Sequence, residues 1–324
     1  MPAPVWHAYL RGLAQRLVAN RVWDHSRVAG YRVVALDGVE WFASRVHPCG
    51  DCTRRVVQEV TEYAHKSVVA SLVGAIPMAL DGETQRPADG TAQSEAAGRA
   101  VQRLLPRLAQ AFPHHIDVVG ADAEYCTRVF RQAVRGYGWD AVVRLKNERL
   151  TIWQDAQGLL PITPPVLHRE TPQETLVIWD LPDITWGALP GRRVVVWQRR
   201  DHQAGRRPDD DPFHAGSAVT TAGPAMPAEA GYTIMRHRWE EEHGIFRRGP
   251  SGWHLGHGFG HTPALIEALI GLQLGAMTRW AWWGYRQRVA RPGPLPPEWA
   301  RMEVVRRELA RLRTDWTARF GTAS

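Results

Sequence analysis

Hydrophobic and polar positions fall into two periods along this 324-residue chain, one helical and one extended. Residues 5–20, VWHAYLRGLAQRLVAN, repeat apolar positions at helical spacing and predict a short leading helix. YRVVALDG then reads as a buried strand ending at Asp37, and WFASRVH as a second strand that begins almost at once. After the turn CGDC, EVTEYAHKSVVASLVGAIPMAL gives a third extended segment ending near a proline. SEAAGRAVQRLLPRLAQAF is a helix opened by Ser94 and interrupted or bent at Pro106, since proline lacks a backbone donor and crowds the preceding turn. HIDVVGAD is a fourth strand ending in Asp122, CTRVFRQAVRGYG a helix stopped by glycine, and DAVVRLK a fifth strand.

Residues 150–225 change character. ETLVIWDLP, RRVVVWQRRD and GSAVTTAG cluster β-branched residues and Trp between Pro- and Gly-rich turns, which predicts a strand-rich insertion containing the polar loop RRDHQAGRRPDDDPFHAG. Helical period returns from Tyr232, a His- and Gly-rich loop follows, and Thr262-Pro263 opens a long apolar helix. The closing segment alternates Trp299, Met302, Val305, Leu309, Leu312 and Trp316 with arginines, as an amphipathic helix does. Three strands, a helix, a strand, a helix and a strand make the mixed α/β sheet of the ribonuclease-H-like arrangement, flanked by helices. The expected divisions are a helical segment at 1–30, a core at 31–149 and 226–290, a β-rich insertion at 150–225 lying between the Asp of the fourth strand and the helix that carries a Glu triplet, and a terminal helix at 291–324.

The apolar content of 44% is ample for a core, and the most apolar segment carries Glu267, Gln273 and Arg279 too early to cross a bilayer. No charged-then-apolar leader opens the chain, so the expected compartment is the cytoplasm, with no membrane partner. A net charge of +7 suits a polyanionic partner, although the only lysines are Lys66 and Lys146 and the rest of the excess is arginine.

Candidate chemistry follows from where the acids fall. In the expected topology the strands ending in Asp37 and Asp122 are central neighbours, so their carboxylates meet, and such a pair is tolerable when a divalent cation lies between them. Hard oxygen ligands suit Mg²⁺ or Mn²⁺. A third carboxylate would come from Glu240, Glu241 or Glu242, which a helix separates by about 100° each. Arg238 is four residues before Glu242 and shares its face, which favours Glu242. The plainer alternatives are a hairpin start at Asp37-Gly38 and a solvated Glu triplet. Cys49 and Cys52 form half of a Zn²⁺ site that His47, His65 or Cys126 would complete, with His65 the preferred ligand; the alternative is a turn with two buried thiols. His254, His257 and His261 are spaced like ligands, but a Gly-rich loop before a helix also uses His for capping. Trp153, Trp179, Trp186 and Trp197 stand in the strand-rich stretch.

LDGVEWF, CGDC, VVGADAEY, DAVVRLKNER, AVTTA, MRHRWEEEHGIF and HGFGHTPALIEALIGLQL, in this order and spacing over residues 31 to 285, resemble the DDE transposases of bacterial insertion sequences in the insertion-sequence-four group. The resemblance implies metal-dependent DNA cleavage and strand transfer, with Asp37, Asp122 and Glu242 holding two Mg²⁺ (or Mn²⁺) ions. It places Arg238, Lys146, Arg149, Arg247 and Arg248 on DNA, both element ends and target. It further implies a homodimer on double-stranded DNA in the bacterial nucleoid, and an insertion aromatic that stacks on a displaced base. Departures are Met235 where the family has Tyr, with Tyr232 nearby, and Gly249 where it has Lys. Only about thirty residues precede the first strand, where relatives carry an end-recognition domain, so a shortened copy is expected. The alternatives are a non-catalytic DNA-binding remnant and a nuclease of the same fold that does not join ends.

Overall fold

A computed structural model of the chain describes residues 3–90, 93–146, 150–186, 189–202, 212–241 and 262–290. Helix α1 (Ala3–Ala19) buries Leu10, Ala14 and Leu17, spaced as a helical stripe requires. Strand β1 (Val33–Ser44) then runs through both strands expected at YRVVALDG and WFASRVH, so Asp37 lies inside a strand and not at its end. The reason is its partner. β3 (Val60–Leu72) pairs antiparallel with β1 from Val34↔Leu72 to Ser44↔Tyr63, absorbing one residue in a bulge at Trp41. A tight hairpin would need left-handed residues after Asp37, and Gly38 is not among the positive-φ glycines. The two-residue turn that does occur uses Gln58 and Glu59, at φ 50° and 65°, between β2 (Thr53–Val57) and β3. Neither is a residue type that announces such a turn.

The third expected segment is in fact two strands, β3 and β4 (Met78–Thr84), which pair with each other. Between them Gly74 has φ 122°, and a Cβ there would stand 2.7 Å from the Ser26 carbonyl oxygen, so only glycine fits. Four strands therefore precede helix α2 (Gln93–Ala111), not three. That helix continues through Pro106 without interruption; the proline faces solvent, where water can meet the carbonyl left without a donor. Its opposite side buries Ala97, Ala100, Val101, Leu104 and Leu108.

β5 (Val118–Ala121), α3 (Arg128–Gly136) and β6 (Asp140–Arg144) complete a parallel trio with β1. The sheet then continues past β6 through β10 (Phe213–Thr220), β9 (Leu189–Asp201), β8 (Glu174–Trp186) and β7 (Leu167–Glu170). The full order is β2-β3-β1-β5-β6-β10-β9-β8-β7, with β4 on β3. Such a mixed α/β sheet is consistent with a ribonuclease-H-like fold. A helix not expected from the strand-rich composition, α4 (Thr151–Leu159), buries Ile152 and Ala156 one turn apart.

Helix α5 (Ala228–Glu241) lays Tyr232, Ile234 and Met235 on Val33, Ala35, Val118 and Val142. Helix α6 (Pro263–Ala290) sets Ile266, Ile270, Leu274 and Met277, with Leu10 of α1, over Val39, Trp41, Val69 and Ala79. Asp37 lies in β1 between these two apolar patches. Two compact units are distinguished, Met1–Arg279 and Trp280–Ser324. Within the described part of the second, Trp280 and Trp283 stack at 5.3 Å and Arg286 covers the Trp282 ring at 5.2 Å. No helix among the described residues is long and apolar enough to cross a membrane.

Candidate active site

β1 and β5 run parallel with Val33↔Val118, Val34↔Val119, Ala35↔Gly120 and Leu36↔Ala121 in register. The next residue after each is an aspartate, Asp37 within β1 and Asp122 just past the end of β5, so the two follow the last paired residues of neighbours about 4.8 Å apart. Pleating decides their side. Val33, Ala35 and Val118 pack against α5, and side chains alternate, so Asp37 and Asp122 share that face. Gly120, two before Asp122, lies under α5: a Cβ there would make ordinary contact with Ile234 and Met235 at 3.6 and 3.7 Å.

One turn after Ile234, α5 places Arg238, only 5% exposed, with its guanidinium 3.7 Å from Asp122 Oδ1. Lys146, two residues beyond β6, brings Nζ to 3.5 Å of the same oxygen while keeping more than half of its side chain exposed. Asp122 Oδ1 is shut off from solvent and accepts no hydrogen bond among the described residues. An acceptor so placed, beside a second aspartate, is what a hard divalent cation fits. Asp37 accepts a hydrogen bond from the Gly38 amide at 2.9 Å.

Two neighbours escaped the sequence reading. Glu124 follows Asp122 in a 3-10 turn, and its carboxylate oxygen would stand 3.4 Å from a Cβ at Gly38. Tyr125 is buried, and burial first, then the charges of Glu124, Asp37 and Asp122, push its hydroxyl well above the ordinary tyrosine range. One phenol therefore senses all three carboxylates. The signal, a second acid and a Tyr in DAEY, is present in the sequence, but nothing there shows that the turn folds back on β1.

Glu242, Arg149, Arg247 and Arg248 lie outside the described residues, as do the loop with His254, His257 and His261 and the segment from 291 onward. Glu240 and Glu241 close the described part of α5.

The model of the transposase DDE domain matches residues 75–278. The chain belongs to that family. The match spans Asp122, Lys146, Arg238 and the Glu240–Glu242 triplet, and it begins after Asp37 and the CGDC turn. No curated protein matches the chain. Among solved structures, an endonuclease V from Bacillus subtilis is similar at 13% identity and a TM-score of 0.29, covering 68% of this chain and 78% of that one.

In this DDE-family chain a cleft of about 420 Å³ opens beside Asp122, lined by Arg144, Lys146, Trp197, Arg199, Tyr232 and Arg238 among others. Trp197 lies flat across Gly216, where a Cβ would fall 2.5 Å from the indole, and Arg144 stands 5.3 Å from its ring centroid. Tyr232 meets the same indole edge-on at 5.7 Å. Of the other tryptophans in this stretch, Trp153 and Trp179 are half-buried and outside the lining, and the Trp186 side chain is outside the description.

At the far end of β1, Cys49, Cys52 and His65 come together. Burial, with the Cys49 thiol beside it, pushes Cys52 up to about 11. Cys126 is not part of the cluster; it is buried near Arg131 with its thiol pushed up to about 12. His47 sits exposed in the turn.

Proposed function

We propose that this chain is a transposase that cuts and joins DNA at a divalent-metal site built by Asp37, Asp122 and Glu242. The observation that carries the reading is the placement of two aspartates directly after Leu36↔Ala121, the last registered pair of adjacent parallel strands, on the face where α5 approaches and where a sheltered Asp122 oxygen has two cations beside it. In the sequence Glu242 stands four residues after Arg238 and eight after Ile234, the spacing of one helix face, and this spacing is why it is chosen as the third carboxylate. Mg²⁺ or Mn²⁺ held there would supply the positive charge that activates a water or a 3′-hydroxyl and steadies the departing oxygen. Arg238, held buried, fixes the orientation of Asp122. Lys146 and Arg144 neutralise phosphates entering the cleft, and Trp197 offers an indole face to an unpaired base. In this reading residues 150–225 form an insertion that prolongs the core sheet, and duplex DNA, both element ends and target, is engaged by a dimer.

The decisive experiment incubates the chain with supercoiled DNA carrying the sequences that flank its own gene, with and without Mn²⁺. Metal-dependent cleavage with joined products supports the reading, while cleavage without joining, tested also on pre-cut ends, supports a nuclease instead. Asp37→Asn and Glu242→Gln should each reduce cleavage at least about a thousandfold with DNA binding retained, as expected for groups that act together. Cleavage undiminished in Asp37→Asn removes that residue from the site.

A further inference from the structure

We propose that Cys49, Cys52 and His65 bind a zinc ion that clamps the turn after β1 onto β3, a site separate from the carboxylates and independent of their assignment. The cysteines belong to the turn Cys49-Gly50-Asp51-Cys52, closed by a hydrogen bond from the Cys52 amide to the Cys49 carbonyl at 3.3 Å. His65 comes from β3, beside Cys52 in the β2–β3 register, where Thr53 faces Ala64. Cys49 Sγ is 3.1 Å and Cys52 Sγ 3.4 Å from His65 Nε2, and the two sulfurs are 3.4 Å apart.

Tetrahedral zinc, with Zn–S about 2.3 Å and Zn–N about 2.05 Å, requires sulfurs about 3.8 Å apart and each about 3.6 Å from the nitrogen. The observed triangle is smaller by half an ångström or less, a difference that small rotamer adjustments remove. A disulfide would need the sulfurs at about 2.05 Å. Cys52 and His65 are each 2% exposed, so the ligands are held by the fold. The Cys49 amide donates to Cys52 Sγ at 3.3 Å, a backbone hydrogen bond of the kind that favours a thiolate ligand. Two sulfurs and an imidazole are a soft set that selects zinc over the magnesium suited to Asp37 and Asp122. No fourth Cys, His, Asp or Glu joins the cluster among the described residues.

The consequence is mechanical. His65 faces Phe42 across β1, one residue past the bulge at Trp41, on the strand that carries Asp37. Zinc would fasten the turn to two strands there, adding to the ion pairs that Glu62 of β3 makes with Arg45, just after β1, and with Arg55 of β2, whose half-exposed arginines contribute little.

The test uses the full chain purified under reducing conditions. Elemental analysis should give about one zinc per chain, and the metal-free protein should take up Co²⁺ with thiolate-to-cobalt charge-transfer absorption and tetrahedral ligand-field bands. Cys52→Ser and His65→Asn should lower zinc content to about a tenth or less, whereas Asp37→Asn should retain it. Reduced wild-type chain that keeps its free thiols yet shows neither zinc nor the cobalt bands would overturn the proposal, and that result requires no variant to fold. So would protein isolated with Cys49 and Cys52 joined as a disulfide.

Discussion

The tetrapeptide Ala-Leu-Asp-Gly occurs twice, at 35–38 and 79–82, and in both copies the glycine amide donates to the aspartate at 2.9 Å. Local sequence gives the two aspartates the same backbone setting; their partners separate them. Asp81 is fully buried and held by His7 at 2.8 Å, Arg11 at 3.0 Å and Arg107 at 2.9 Å, so every approach to it is occupied. Asp37 lies on the face shared with Asp122. Burial pushes the Asp81 carboxyl up, but the His7 hydrogen bond and the Arg107 charge more than offset it and hold it below the ordinary range. A carboxyl lowered on folding contributes stability above its unfolded pKa and loses it as pH falls through the folded value. Asp81→Asn should therefore destabilise the fold by about 3 kcal/mol at neutral pH, since it strips a partner from half-buried Arg107. It should also flatten the loss of stability below about pH 4. Denaturant titrations of both proteins at pH 7 and pH 3.5 check this.

At the scale of elements, the sequence showed the apolar strands and helices but not their joints. The sequence predicts two strands where β1 is one, and pairing with a strand some thirty residues later keeps Asp37-Gly38 extended. The β2–β3 turn was invisible because Gln58 and Glu59 give no sign of left-handed backbone. Order and spacing mark Asp37, Asp122 and Arg238 as candidates, while the nearness of Glu124 and Tyr125 depends on a fold-back that no local pattern encodes. Gly120 lies beneath α5, two residues before Asp122, with ordinary contact distance left for one methyl. Gly120→Ala places a methyl in ordinary contact with Ile234 and Met235, and should be nearly neutral. Gly120→Ile has no room beneath the helix and should cost about 1–3 kcal/mol by overpacking. It should also impair cleavage beyond its effect on stability, by lifting Arg238 from Asp122. The check is metal-dependent cleavage measured at a temperature where both variants remain folded by circular dichroism.

For the whole molecule, a net charge of +7 overstates what is available to DNA. Arg55 is engaged by Glu40 at 2.7 Å and Glu62 at 2.9 Å, Arg45 by Glu62, and Arg103 and Arg107 by a core of Asp81, Glu83 and Asp89. The cleft differs, because Lys146 contacts Asp122 only at 3.5 Å and leaves 57% of its side chain in solvent. A cation in that position can exchange its partner for a phosphate and release a counterion from the DNA, whereas one already matched by two carboxylates gains little. The salt dependence of binding therefore reads out where DNA lies. Lys146→Ala should weaken binding and reduce the slope of log affinity against log salt by about 1, and Arg55→Ala should leave that slope unchanged. Fluorescence anisotropy with a short duplex from 50 to 200 mM salt measures both. Equal slopes for the two variants would move the DNA path away from the cleft and from the aspartates beside it.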